Sequence, residues 1–195
     1  MKSFIMLFLC FLVLACQKNQ ADLKEQIVPQ IFTLKSSLNL TYTNDVVFLN
    51  GTKYSGFLYQ LSPDNKDTLA MEGYKDGLQT GICRKWFPNK QLMEERQYVV
   101  GKKHGKQLAY WANGNKRFEF MAQNDAYEGE LREWSIDGRL FHLGNYKNGQ
   151  EEGAQKMWYD NGKIKANYVI VEGKRYGLLG TKNCKNVSDS IFVVR

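Results

Sequence analysis

Five glycines, Gly81, Gly105, Gly129, Gly153 and Gly177, stand 24 residues apart, and an aromatic residue follows each of the first four by five positions: Trp86, Tyr110, Trp134 and Trp158. A fixed period of this length means that one supersecondary unit, too small to bury its own apolar face, is stacked on copies of itself. Repeat arrays act as extended surfaces more often than as pockets, so the period constrains function as well as fold.

Aligned on glycine, the units run 74–97, 98–121, 122–145 and 146–169, with degenerate copies around Gly56 and Gly177. Each unit reads as a strand after the glycine (Gly105 to Trp111), a turn (Ala112-Asn113-Gly114), a second strand (Asn115 to Phe120) and a looser glycine-containing link. Asn113-Gly114, Asp137-Gly138 and Asn161-Gly162 are hairpin dipeptides, because glycine takes the positive φ that other residues resist. Pro88-Asn89-Lys90 is the same turn without its glycine.

Parity selects the turn. Tyr74, Trp86, Tyr98, Tyr110, Trp134, Tyr146 and Trp158 are all even-numbered, and side chains alternate faces along a strand. A three-residue loop with glycine last pairs even with even, whereas a two-residue loop does not. The expected cross-strand pairs are therefore Trp86 with Leu92, Trp134 with Leu140 and Trp158 with Ile164. The expected fold is all-β: an elongated antiparallel array of β-hairpins with one aromatic face, closed by capping strands. The L-x-x-L-x-L-x-x-N pattern of a leucine-rich solenoid is absent from the chain, and no window sustains helical periodicity.

The ends carry a different signal. Lys2 precedes an apolar run from Phe4 to Ala15, shorter than the roughly 20 residues that span a bilayer as a helix and shaped like an export signal. Leu12-Val13-Leu14-Ala15-Cys16 resembles the bacterial lipobox, which implies acylation of Cys16 and a membrane anchor. Gln17 is not an aspartate of the inner-membrane-retention type, so the expected address is the outer membrane of a Gram-negative cell. The expected organisation is a signal peptide over 1–15, a polar tether over 16–26, degenerate N-terminal hairpins or a cap over 27–73, the repeats over 74–177 and a C-terminal cap over 178–195. Ile191 to Val194 reads as a closing strand. Loss of Lys2 with the leader leaves 26 basic against 20 acidic residues, a net +6. The basic residues are scattered one or two per repeat rather than massed to track phosphates, so no nucleic-acid partner is expected. Cys83 and Cys184 fall at opposite ends of the array and are expected to stay unpaired, since a disulfide needs α-carbons within about 7 Å.

Tyr146-Lys-Asn-Gly-Gln-Glu-Glu-Gly153, followed by Met157-Trp-Tyr-Asp-Asn-Gly162-Lys-Ile164, resembles the MORN-variant repeat of exported 24-residue-repeat proteins and YwqK-type antitoxins. Lys90 and Asn124-Asp125-Ala126 depart from that pattern. The resemblance implies a hairpin repeat with a scaffold, membrane-associated or antitoxin-like role.

No nucleophile, base and orienting group fall together, and no CxxC or His-Cys cluster suggests a metal, so neither catalysis nor a cofactor is expected. His104 reads as a solvated link residue, and His142 as a strand residue sharing the even face with Trp134. The aromatic face is either core or a stacking platform for sugars or quaternary ammonium groups. The odd face carries Phe87, Met93, Trp111, Phe141, Leu143, Met157, Tyr159 and Val169 among Lys85, Arg117, Glu133 and Lys165. Of these, Phe87, Trp111, Phe141 and Tyr159 are the candidate interaction residues, because interface cores favour aromatic, Met and Arg side chains. That face is either a protein-binding surface or a second, partly covered core surface. The function expected is a lipid-anchored, non-enzymatic scaffold or antitoxin-like module in the envelope, with a glycan- or choline-binding surface module as the alternative.

Overall fold

The computed structural model describes residues 27–37 and 39–180. The leader, the acylation site Cys16, the tether, Cys184 and the expected strand at Ile191 to Val194 lie outside the described residues. Among those described there is no helix. Thirteen strands form one sheet, antiparallel almost throughout and built from strands consecutive in sequence, and three more form a small separate sheet.

The chain divides into two compact units. The first comprises the described residues up to Lys90 together with Gln97–Lys102, and the second comprises Gln91–Arg96 and the residues from Lys103 onward. In the first unit β1 (Phe32–Leu34) runs parallel to β5 (Gly56–Leu61), with Phe32 beside Phe57. A parallel pair is not a hairpin, so 27–73 holds more than hairpin pairings. The segment between β1 and β5 makes β2 (Leu40–Thr43), β3 (Val46–Leu49) and β4 (Thr52–Lys53), a three-stranded antiparallel sheet. After that excursion β5 returns alongside β1 in the same direction. β6 (Thr68–Lys75) then pairs with β5, β7 (Leu78–Gln79) and β8 (Gly81–Trp86).

Val47, Tyr54, Leu58 and Tyr74 form the core of this unit, flanked by Leu40 and Leu49. Glu72 is buried there, and a buried carboxylate is tolerated only when paired and hydrogen-bonded. Lys35 Nζ reaches it at 2.8 Å and the Tyr74 hydroxyl donates to it at 3.1 Å. Burial, and then the Glu72 charge, push the Tyr74 phenol well above its usual range.

β9 (Leu92–Val99) contributes to both units. The second unit continues through β10 (Lys102–Tyr110), β11 (Lys116–Gln123), β12 (Ala126–Trp134), β13 (Leu140–Lys147), β14 (Gln150–Trp158), β15 (Ile164–Val171) and β16 (Lys174–Leu178), each paired with the next. The strands begin three residues before the phased glycines, not at them: Gly105, Gly129 and Gly153 are each the fourth residue of their strand. Gly129 sits at φ +72 where β12 carries two extra residues against β11, since Phe120 faces Leu131 while Met121 faces Glu128. The phase marks a bulge, and positive φ is why glycine holds it.

The links are tighter than expected. Asn148-Gly149 adopts φ +51 and +80, the pair required by a two-residue hairpin turn of the primed type. Asn124-Asp125, which lacks the glycine, adopts the same turn at φ +51 and +69, since asparagine and aspartate tolerate the left-handed region better than other side chains.

Candidate functional site

The opposite ends of the hairpins carry the three-residue loops expected from parity. The Trp111 N–H donates to the Asn115 carbonyl at 2.8 Å, and the Gly114 N–H to the Trp111 carbonyl at 2.9 Å. Ser135, Gly138 and Arg139 repeat these two bonds, as do Tyr159, Gly162 and Lys163. Lys90 holds the glycine position at φ +68, with its N–H on the Phe87 carbonyl at 2.9 Å, so Pro88-Asn89-Lys90 is indeed the same turn. Trp134 faces Leu140 and Trp158 faces Ile164, as expected.

One residue further on, parity fails. The pair after Trp134–Leu140 is Glu133–His142, which leaves Phe141 as an extra residue, and the pair after Trp158–Ile164 is Met157–Ala166, which leaves Lys165. Each hairpin therefore has a bulge directly after its turn, and beyond it odd residues face even ones. A one-residue slip sends every later side chain to the other face. The single aromatic face is thus overturned. In the second unit one face collects odd residues of outgoing strands and even residues of returning strands. Phe118, Phe120, Tyr127 and Tyr146 lie there in successive ring contacts at 5.6, 4.6 and 5.1 Å. Leu131, Ala166, Tyr168 and Ile170 are buried on the same face, and Met157 packs against the last three. Tyr110, Trp134 and Trp158 stand on the opposite face, beside the turns. Met157 and Glu133, read from the sequence as members of the candidate odd face, belong to the inner one.

The inner face also holds polar groups, and the sequence reading misplaced one of them, His142. His142 does not accompany Trp134: its Nδ1 lies 2.7 Å from Glu133 Oε2 across the strand pair, with the imidazole 12% exposed. Gln155 is fully buried, its amide donating to the Asn145 carbonyl at 2.6 Å. Its Oε1 and His142 Nε2, both buried without a hydrogen-bond partner, border the α-carbon of Gly144. Further along, Glu151 accepts from the Tyr168 hydroxyl at 3.1 Å and pairs with Arg175 at 2.9 Å. Burial, then the bond to Glu151, raise the Tyr168 pKa. His104 is not a solvated link residue either. It lies half-buried within β10, with Nδ1 buried and unpartnered.

The outer face is a lattice of exposed charge. Glu119 bridges Lys106 at 2.7 Å and Lys116 at 2.6 Å, which hold its carboxyl below the usual range. Cations cover the turn-side rings: Arg117 over Trp111 at 5.0 Å, Lys116 over Trp134 at 5.5 Å, Lys156 over Trp158 at 5.3 Å and Lys165 over Tyr159 at 5.9 Å. Neighbouring turns are tied together. Asn113 Nδ2 and Asn115 Nδ2 both donate to the Ile136 carbonyl, at 2.7 and 3.0 Å, and one repeat later Arg139 donates to the Asp160 carbonyl.

Of the four candidate interaction residues, the structure brings two together. Phe141 and Tyr159 remain 37% and 40% exposed and line one cleft of about 280 Å³ between the third and fourth turns, with Leu140 and Trp158 as further walls. Trp111 stands one repeat earlier, its indole N–H on the Trp134 carbonyl at 3.0 Å. Phe87 falls in the first unit.

The returning hairpin from β14 to β15, with its glycine bulge, bulged turn and outer tryptophan, is the clearest copy of the unit. Residues 79–99 and 151–168 match the MORN repeat variant. Each MORN-variant match covers one outgoing and one returning strand around a three-residue loop. No curated protein matches the chain.

Proposed function

We propose that this chain is a non-enzymatic, lipid-anchored repeat protein of the cell envelope whose turn-side surface binds another protein, as an interaction scaffold or an antitoxin-like module. The observation that carries the reading is the cleft at Phe141 and Tyr159. Two aromatic side chains, 18 positions apart in sequence, line that cleft beside Arg139 and stay exposed, and aromatic and arginine side chains are those that concentrate at protein interfaces. Anchorage rests on the lipobox and outer-membrane placement on Gln17. Palmitate labelling lost in Cys16→Ser tests the first, and membrane fractionation tests the second.

The test of binding is capture from solubilised envelope with the mature Cys16→Ser protein. A variant with alanine at Trp111, Phe141 and Tyr159 is expected to lose a specific partner. Equal capture by that variant, with its fold intact, would sink the reading. A glycan- or choline-binding module is the second reading, favoured by the outward Trp134 and Trp158. It stands second because lysine ammonium groups already cover both rings, so a quaternary ammonium would have to displace them. Saturable binding of a soluble glycan, lost in Trp158→Ala, would reverse the order.

A further inference from the structure

Trp111, Ser135 and Tyr159 occupy the same position in successive repeats, 24 residues apart. Trp111 reaches into the next hairpin: its indole N–H donates to the Trp134 carbonyl at 3.0 Å, and the Arg117 guanidinium lies 5.0 Å from its ring centre. One repeat later the equivalent residue is Ser135. Its hydroxyl instead folds back into its own turn, accepting from the Arg139 N–H at 3.2 Å. A serine cannot span the distance that an indole spans. The result is the cleft of about 280 Å³, bounded by Ser135, Leu140, Phe141, Trp158, Tyr159 and Asp160. The position of Arg117 is taken there by Phe141, so a ring replaces the guanidinium that covers Trp111.

We propose that this cleft is the receptor for a single tryptophan side chain projecting from an acidic segment of a protein partner, seated as Trp111 is seated in the preceding repeat. This deepens the protein-binding reading and rests on it. The chain's own repeat supplies the template for the indole: the same backbone frame, one unit earlier, closes over a tryptophan and hydrogen-bonds its N–H. Charge supplies the rest. The turn-side stretches that border the cleft, 135–141 and 156–165, carry Arg139, Lys156, Lys163 and Lys165 against Asp137 and Asp160, and Asp137 is already paired with Arg139. Lys156 and Lys165 rest on the aromatic rings of Trp158 and Tyr159. A carboxylate beside the incoming indole would meet those ammonium groups, so an acidic flank fits and a basic one is repelled.

The probe is a short acetylated and amidated peptide with one central tryptophan between glutamates, titrated into the mature Cys16→Ser protein and followed by NMR chemical shifts. Saturable shifts are expected at Ser135, Phe141, Trp158 and Tyr159. The same peptide with leucine for tryptophan, or lysines for glutamates, is expected to bind at least about tenfold more weakly. Ser135→Trp fills the cleft from within, as the preceding repeat does, and is expected to abolish binding while the melting temperature holds or rises. Phe141→Arg restores the other sister residue and is expected to abolish binding independently, so a folding failure in one variant leaves the other to decide. Binding that survives in a folded Ser135→Trp or Phe141→Arg protein, or that is equal for the leucine peptide, overturns the proposal. If the envelope partner is captured in an alanine-sensitive way yet the tryptophan peptide never saturates, the surface reading stands and the indole receptor falls.

Discussion

Gly129→Ala isolates the reason for the 24-residue phase. Gly129 has φ +72, and a Cβ built there meets no heavy atom within 4 Å, so the substitution adds no clash and changes only backbone preference. An L-residue in the left-handed region costs about 1–2 kcal/mol. Alanine also narrows the unfolded ensemble, which offsets about 0.4–1 kcal/mol. The net loss expected is therefore about 1 kcal/mol. Gly129→Asn should lose roughly half of that, since asparagine visits this region more readily. Gly144→Ala is the counter-case. Its φ is ordinary, but a Cβ there would lie 2.6 Å from the buried Gln155 Oε1 and 2.9 Å from the Tyr146 ring, so it should lose about 1–3 kcal/mol through overpacking. Urea unfolding followed by tryptophan fluorescence measures all three. Of the four tryptophans only Trp86 lies in the first unit, so a Trp86→Phe background reports the second unit alone. A neutral Gly129→Ala, or an asparagine variant as damaged as the alanine one, would refute the backbone account. A harmless Gly144→Ala would refute the packing of the inner face.

Three further outcomes follow from the same geometry. Lys90→Gly, at φ +68, should stabilise the first unit despite losing the exposed pair with Asp67, and a rise in the urea midpoint would register it. Burial pushes the Cys83 thiol up to about 11, so in a Cys184→Ser background a thiol reagent at neutral pH should react slowly and accelerate only as urea opens the fold; fast native labelling would contradict that burial. Hydrogen bonds from Lys106 and then Lys116 lower the Glu119 pKa, so its stabilisation is present above the unfolded value and fades as pH falls through the folded one. Glu119→Gln should therefore cost a few tenths of a kcal/mol near pH 7 and nothing near pH 2, whereas a pH-independent cost would assign the effect to packing.

The sequence by itself determined the hairpin unit, its period and its turns. Asn113-Gly114, Asp137-Gly138 and Asn161-Gly162 specify a local backbone, and the pairs Trp134–Leu140 and Trp158–Ile164 follow from loop length alone. Such features are legible because their energetics are confined to a few consecutive residues. The Asn124-Asp125 link was legible too, in hindsight, from the tolerance of both residues for positive φ. Only the tertiary structure decided which face each side chain joins. The bulge at Phe141 has no glycine or proline to announce it, yet it moves His142 beside Glu133 and leaves Trp134 outside. Parity counts residues, and it fails wherever one residue drops out of the pairing. The cleft was hidden for a different reason: Ser135 is unremarkable at the mouth of its own turn, and its meaning appears only when the stacked repeats set it at the position from which Trp111 crosses to the next hairpin.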